Sequence, residues 1–151
     1  MTQFKIIVGV FLVAAVAGIA AWYGLQRDVP ATTTDITNPR LVAHGQKIYA
    51  ENCALCHGVN LEGQPRWDRM KPDGKLPAPP HDPSGHTWHH SDQRLFLIIK
   101  EGLATEEATD MPIFGGVLSD HDIWAVLTFI KSTWPEDIRR RQPIFRSVPA
   151  S

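Results

Sequence analysis

The sequence has little cysteine and little net charge, and each shortage narrows the possible functions. Its 151 residues include two cysteines, too few to hold a small secreted domain together with several disulfides. The 15 Lys and Arg residues nearly balance the 16 Asp and Glu residues, so the formal net charge is -1. A protein that binds nucleic acid through bulk positive charge needs a clear basic excess. We therefore expect no nucleic-acid partner.

Strand patterns and internal repeats are also missing from the sequence. Apolar residues make up 43% of the chain, which is enough for a hydrophobic core and argues against a disordered protein. The 12 prolines and 11 glycines occur in discrete patches between segments of helical periodicity. These observations predict a small all-α domain with much loop.

One long hydrophobic run is present, at residues 6–25, where 20 positions carry no charge. A helix of this length spans about 30 Å, which is the thickness of a bilayer core. Trp22 and Tyr23 lie near its end, where amphipathic rings favour the headgroup region. A cleaved secretory signal is the alternative, although its apolar stretch is usually about 7–15 residues long. We predict that residues 1–25 form a transmembrane anchor and that the rest of the chain is exported.

Composition divides the remainder into three parts. Residues 26–38 are rich in Thr and Pro without apolar periodicity, which is typical of a linker. Residues 39–135 carry the helical patterns and form the predicted domain. Residues 136–151 contain three consecutive arginines and two prolines, so we expect a flexible, solvated tail.

Three helices are predicted within this domain. The first begins at the cap residue Asn38, the second after Ser91, and the third after Ser119, which has Asp residues in the following turn. The second ends at Gly102, and the third ends before Pro135. Between the first two helices lies a long loop, residues 58–90, rich in Pro, Gly and His. A structureless loop of that length is unusual in a compact domain unless it surrounds a group that is not protein.

Both cysteines lie in the motif Cys53-Ala54-Leu55-Cys56-His57, which has the C-x-x-C-H spacing of c-type haem attachment. Two thiols one helical turn apart can each add to a vinyl group of the same porphyrin, and the adjoining His57 then lies under the iron. A thioredoxin-like redox pair would need a surrounding sheet, which the sequence does not predict. A zinc site would need more ligands at close spacing, and two buried cysteines placed by chance are the remaining alternative.

With these residues the sequence resembles the monohaem class I cytochromes c, over roughly residues 39–135. Gly45 and Tyr49 stand eight and four residues before Cys53, at the family's small and aromatic positions on the first helix. The segment 126–131 matches the family's terminal helix, with Phe129 where Tyr is common. The resemblance implies the small class I cytochrome c fold, in which three main helices surround one covalently bound haem c and the first and last helices cross. We expect one transmembrane helix to precede that fold.

Met111 is the predicted second axial ligand of the iron. It lies between the second and third helices, at the family's distal-ligand position, whereas Met70 lies only 13 residues after His57 in a polar stretch. A Met/His pair raises the reduction potential and leaves no coordination position for a substrate. This ligation predicts an electron-transfer protein rather than an enzyme.

Four histidines, His81, His86, His89 and His90, cluster in the long loop. Surface or propionate-side hydrogen bonding is the expected role. Two alternatives stay open: one of them replaces Met111 on the iron, or they bind a second metal such as copper.

Other candidates have plainer expected roles. His44 and His121 are expected to be ordinary exposed helix residues. The resemblance implies a proline on the proximal side of the haem that fixes the ring of the axial histidine. Pro77, Pro79 and Pro80 are the candidates, and the sequence does not distinguish among them.

These features predict a one-electron carrier on the periplasmic side of a bacterial cytoplasmic membrane, attached by a single span, residues 6–25. Its expected partners are a quinol-oxidising complex or dehydrogenase as donor and a terminal oxidase as acceptor. From residue 28 to residue 134 there are 9 Lys and Arg against 14 Asp and Glu, which favours a basic partner surface. One alternative is a fixed haem subunit of a membrane-bound oxidoreductase complex. Another is a haem- or copper-handling or sensing protein that uses the His-rich loop.

Overall fold

The computed structural model describes residues 31–103 and 109–142, and this part of the chain is helical. Its α-helices are α1 (Pro39–Asn52), α2 (Ala54–His57), α3 (Asp92–Glu101), α4 (Asp120–Ser132) and α5 (Glu136–Arg141), and one turn of 3₁₀ helix covers Thr87–His89. No strand occurs in these two ranges, where two isolated bridges are the only β-type pairings. The all-α prediction is confirmed for this part of the chain.

The predicted starts of the three main helices are confirmed by their caps. The Asn38 side chain accepts hydrogen bonds from the backbone N–H groups of Arg40 and Leu41 at the start of α1. The Ser91 hydroxyl oxygen accepts from the third residue of α3. At the start of α4, Ser119 and Asp122 form a reciprocal capping box. Each cap satisfies backbone donors that have no partner inside the helix.

Helices α1 and α4 cross in close contact at Gly45. A Cβ at this position would overlap the carbonyl oxygen of Ala125 and lie 3.0 Å from the Cβ of Phe129. One turn further along α1, the rings of Tyr49 and Phe129 lie 5.4 Å apart between centroids. The missing side chain thus permits the backbones to approach, and the aromatic pair fills the space beside them.

The core consists of two hydrophobic clusters that meet along α4. One lies between α1, α4 and the long loop, and the other lies between α3 and α4, where Phe96 stacks on Trp124 at 4.6 Å between ring centroids. The buried residues of the first cluster are Ile48, Tyr49, Leu61, Val126, Ile130 and Trp134. Those of the second are Leu95, Phe96, Ile123, Trp124 and Leu127.

The long loop folds back onto the end of α2. The N–H of Gly63 donates to the carbonyl oxygen of His57 at 2.8 Å, and the N–H of His81 donates to that of Leu61 at 2.8 Å. The buried indole of Trp134 donates to the carbonyl oxygen of His81 at 2.7 Å. The loop is therefore anchored at both the C-x-x-C-H motif and the end of α4.

Residues on both sides of the predicted domain, 39–135, also pack against it. The Asp92 carboxylate accepts hydrogen bonds from Thr34 at 2.6 Å, Lys131 at 2.6 Å and Gln142 at 2.7 Å. The first six residues of the predicted flexible tail form α5. The folded part thus extends beyond both predicted borders, because a partly buried carboxylate collects donors from three distant segments.

The predicted membrane anchor, residues 1–25, lies outside the described residues. Among the helices of 31–103 and 109–142, none is long and apolar enough to cross a membrane.

Replacing Gly45 with Ala tests the helix crossing, because packing and helix propensity predict changes of opposite sign in the free energy of unfolding. Propensity alone predicts stabilisation by up to about 1 kcal/mol. Overlap with the Ala125 carbonyl predicts destabilisation by about 1–3 kcal/mol. We expect destabilisation, measured as the free energy of unfolding by denaturant. The matched control is Gln46→Ala at the exposed neighbouring position, which should be nearly neutral. A stabilised Gly45→Ala protein would contradict the close contact.

Candidate functional site

The two cysteines lie on one helical turn at the end of α1. The N–H of Cys53 donates to the carbonyl oxygen of Tyr49, and the short helix α2 brings Cys56 one turn further. Both thiols are unpaired, with Cys53 half-buried and Cys56 exposed. Burial, and then the neighbouring Cys56, raise the pKa of Cys53 to about 11, so Cys53 is a neutral thiol at neutral pH. Leu55, between them, is 96% exposed.

His57 is buried and held in one tautomer. Its Nδ1 lies 2.8 Å from the carbonyl oxygen of Pro79. Because a carbonyl oxygen can only accept, Nδ1 carries the hydrogen and Nε2 keeps a free lone pair. Burial lowers the pKa of His57, although the hydrogen bond to Pro79 partly opposes this shift. His57 is therefore a neutral imidazole with Nε2 available to a metal, the arrangement typical of a histidine ligand. Of the three candidate prolines, Pro79 makes this contact.

His81 packs directly against His57, a contact that the sequence analysis missed. The two rings are stacked with centroids 4.0 Å apart and planes 20° apart. The Thr87 hydroxyl donates to the Pro80 carbonyl oxygen at 3.2 Å, so its oxygen accepts from His81 Nδ1 at 2.8 Å. Burial, with smaller contributions from His57 and His86, holds the pKa of His81 well below its usual range. His81 is thus a second neutral imidazole in a defined tautomer.

The other loop histidines pack against tryptophans and each other. His86 stacks on Trp67 at 5.3 Å between centroids and meets the edge of the His90 ring at 5.7 Å. The exposed His89 meets Trp88 edge-on at 3.9 Å. Among the described residues, no group of three or more potential ligands includes a histidine of this loop. The arrangement gives no support to a second metal site in the loop.

Two polar nitrogen atoms in the same loop are buried without a hydrogen-bond partner in the described part of the chain. They are Nδ1 of His86 and Nε1 of Trp88. Because buried polar atoms are usually paired, both are candidate donors for an anionic group such as a haem propionate.

Met111 lies on a segment that is attached on both sides. Its N–H donates to the Thr109 hydroxyl oxygen at 3.1 Å, and Thr109 pairs with Leu76 of the long loop in an isolated bridge. After Met111, the N–H of Phe114 donates to the Ile99 carbonyl oxygen of α3 at 3.0 Å. The Met111 side chain is partly buried.

Asp110 connects the Met111 segment to the long loop by binding Lys71 and Lys75, and we call these three residues the Asp110 clamp. Its carboxylate accepts from Lys71 Nζ at 2.9 Å and from Lys75 Nζ. These hydrogen bonds lower the pKa of Asp110 to about 2. Met70, which the sequence analysis set aside as a ligand, is next to Lys71 and is 62% exposed.

The donor set fits a covalently attached haem. Two unpaired thiols lie one turn apart, and the adjoining buried imidazole has one nitrogen held and the other available. A small all-α fold that presents C-x-x-C-H in this way defines a c-type cytochrome.

Comparison with known proteins agrees with this class. The chain belongs to the family described as cytochrome c oxidase, cbb3-type, subunit III, which matches residues 40–130. It is also similar to thiosulfate dehydrogenase of Stutzerimonas stutzeri (strain A1501), with 33% identity over 103 residues. That match covers 65% of this chain and 29% of the relative, so the chain spans less than a third of that protein's length. No solved structure gives a significant match. The protein is a monohaem c-type cytochrome with covalently bound haem c.

Replacing Thr87 with Val tests the hydrogen bond that holds His81. The change keeps the shape of the side chain but leaves the buried Nδ1 of His81 without an acceptor, which costs about 1–3 kcal/mol. We expect a loss of that size in the free energy of unfolding. Thr87→Ser keeps the hydroxyl and should retain most of the stability. A loss of stability in Thr87→Ser with none in Thr87→Val would show that the methyl group, not the hydroxyl, matters.

Replacing Asp110 with Asn should loosen the Met111 segment. Both bonds to lysine are weakened, so we expect several-fold faster hydrogen exchange at the amides of Thr109 and Met111. The effect should shrink at high salt, because the clamp is exposed to solvent. Asp73→Asn is the matched control, since Asp73 also faces Lys71, at 3.6 Å, but lies outside the Met111 segment.

The same clamp predicts a pH dependence of this exchange. The pKa of Asp110 is lowered from 3.8, so the clamp is fully present above that value and is lost as the pH falls through about 2. Wild-type exchange, corrected for its intrinsic pH dependence, should approach that of Asp110→Asn in this range. A difference between the two proteins that does not shrink as the pH falls from 4 through about 2 would contradict the ionic nature of the clamp.

Proposed function

We propose that this protein is a one-electron carrier tethered to the periplasmic face of a bacterial cytoplasmic membrane. It receives electrons from a quinol-oxidising complex or dehydrogenase and passes them to a terminal oxidase. The observation that carries the proposal is the buried, neutral His57, whose Nδ1 is bound to Pro79 and whose Nε2 is available. The tether is residues 6–25, an uncharged run of 20 residues.

In this proposal four residues hold the cofactor. Cys53 and Cys56 attach the porphyrin through thioether bonds, and His57 and Met111 are the axial ligands. The bound haem supplies a one-electron couple of the iron. With both axial positions taken by side chains, no position is open for a substrate, which favours electron transfer over catalysis.

The surroundings of these ligands suit a carrier of fairly high potential. A thioether sulfur favours ferrous iron, so Met111 raises the reduction potential. The buried imidazole of His81, which stacks on His57, is neutral and adds no positive charge beside this ligand. The Asp110 clamp and the contacts of Phe114 hold the Met111 segment in place, which limits reorganisation on electron transfer.

Exposed apolar residues flank both ligand segments and suit brief encounters with a redox partner. Leu55 and Val59 lie beside the attachment motif, and Ile113 and Val117 lie beside Met111. The acidic excess of residues 28–134 favours a partner with a basic rim around its docking surface. Electron transfer should therefore slow as ionic strength rises.

The second candidate is a fixed haem subunit of a membrane-bound oxidoreductase complex. It is favoured by the family description, which names a subunit of a cbb3-type oxidase.

The relative from Stutzerimonas stutzeri is named as a dehydrogenase, which supports a dehydrogenase among the electron donors. No thiosulfate-oxidising activity is proposed for this chain, because the match covers 29% of that protein.

Removing the apolar run distinguishes carrier from subunit. We expect a form with residues 1–25 replaced by a cleavable signal to exchange electrons with membranes of the source cells when added in solution. A fixed subunit would fail to restore transfer and would co-purify with its complex only when the run is present.

The His-rich loop tests the third candidate, a metal-handling protein. If the protein handles a metal, replacing His86, His89 and His90 together with Ala should abolish that function. The carrier proposal expects transfer to persist in that variant.

Replacing Met111 with Ala tests the distal ligand. We expect the midpoint potential to fall by on the order of 100 mV, because the thioether no longer stabilises ferrous iron and axial ligation covers a span of about 0.8 V. The measurement is a redox titration of the purified holoprotein with its absorption spectrum. Met70→Ala is the matched control and should leave the potential unchanged. A drop in the Met70 variant instead would transfer the ligand role to that residue.

A further inference from the structure

Three potential metal ligands converge where the first half of α1 meets the first turn of α4, away from the haem attachment motif. They are His44 of α1 and His121 and Asp122 of α4, and one ligand atom from each lies within 4.8 Å of the other two. This is the only such group among the described residues. The two histidines were expected to be ordinary exposed residues of separate helices, and their convergence is a product of the fold.

The three side chains are already in contact. His44 Nε2 lies 2.7 Å from Asp122 Oδ1. The rings of His44 and His121 are stacked with centroids 5.2 Å apart and planes 29° apart. One ligand atom from each of two imidazoles and a carboxylate is therefore brought close to the others from two different helices.

We propose that His44, His121 and Asp122 bind one zinc-class divalent ion, with water completing the coordination. Two imidazole nitrogens and one carboxylate oxygen are ligands that zinc accepts, and open zinc sites commonly have three protein ligands and a water. Ligand atoms at tetrahedral corners about 2.1 Å from a metal lie about 3.4 Å from each other. The observed separations, 2.7 Å between His44 and Asp122 and at most 4.8 Å within the group, lie on either side of this value.

The scaffold of the site is rigid. Asp122 belongs to the capping box of α4, where its Oδ2 accepts from the backbone N–H of Ser119 at 3.1 Å and from the Ser119 hydroxyl at 2.6 Å. These bonds orient the carboxylate and leave Oδ1 on the side of His44. His44 is next to Gly45, where α1 and α4 touch most closely. Supporting hydrogen bonds of this kind are typical of metal ligands.

Charge and access also suit a cation. Burial opposes ionisation of Asp122, but hydrogen bonds from Ser119 and His44 outweigh it and lower the pKa of this carboxyl. The side chains of His44 and Asp122 are 37% and 24% exposed, so an ion and its water can enter. The neighbouring Asp120 carboxylate is already paired with Lys100 Nζ at 2.7 Å, so it is not counted among the ligands.

The proposed site is independent of haem ligation. His44 precedes Cys53 by nine residues, which is about 13 Å along a helix axis. The ion would link the first half of α1 to the first turn of α4 and so stabilise the helix crossing on which the fold depends. Its expected effect is on stability, not on the haem spectrum.

Zinc titration of the chelator-treated holoprotein tests the proposal. Isothermal titration calorimetry should show one saturable zinc site, and X-ray absorption should show nitrogen and oxygen ligands without sulfur. The unfolding temperature should rise with zinc concentration, as expected when a ligand binds only the folded state. The absence of saturable binding would overturn the proposal and leave His44 and Asp122 as a simple hydrogen-bonded pair.

Two variants locate the site. His121→Ala removes one ligand but keeps the His44–Asp122 contact and the Ser119 cap, and it should weaken zinc binding by about tenfold or more. His89→Ala removes an exposed histidine of the long loop and should leave the affinity unchanged. An unchanged haem spectrum in both variants confirms that they are folded. If His89→Ala weakens binding and His121→Ala does not, the proposal is wrong and zinc binds the loop.

Discussion

The structure depends on the close contact of α1 and α4 at Gly45. Because no side chain separates the helices there, the Ala125 carbonyl lies against the α1 backbone and the aromatic pair Tyr49 and Phe129 fits beside it. The crossing sets the direction in which α1 ends, and so the position of the attachment motif. It also brings the start of α4 to His44. The position of the attachment motif and the proposed zinc site thus both depend on this one packing contact.

The long loop stabilises the motif through backbone carbonyl groups. Pro79 offers its carbonyl oxygen to His57, while the next carbonyl, of Pro80, holds His81 indirectly through Thr87. Proline has no N–H, so these positions cannot add a competing donor. The two carbonyl groups therefore fix the tautomers of His57 and His81, two neutral imidazoles that stack on each other. The prolines of this loop are therefore part of the ligand environment rather than simple breaks in secondary structure.

Sequence reasoning recovered the main helices and the attachment motif because both are local. Caps at Asn38, Ser91 and Ser119 act on donors within three residues, so their signal lies in a short window. Sequence reasoning gave no sign of the contacts at the borders, where Thr34 and Gln142 bind Asp92 across 58 and 50 residues. Composition indicated a linker and a tail in both places, since single polar contacts to a distant carboxylate leave no periodic pattern.

The class of protein follows from residues that are neighbours in the chain. C-x-x-C-H places two thiols and an imidazole within one turn, which is the spacing of covalent haem c attachment. The contact of Pro79 with His57, the stacking of His81 on His57 and the contact of His44 with Asp122 arise only in the folded protein. Side chains far apart in sequence meet only after the helices pack. Their meeting follows from the geometry of the crossing and not from spacing along the chain.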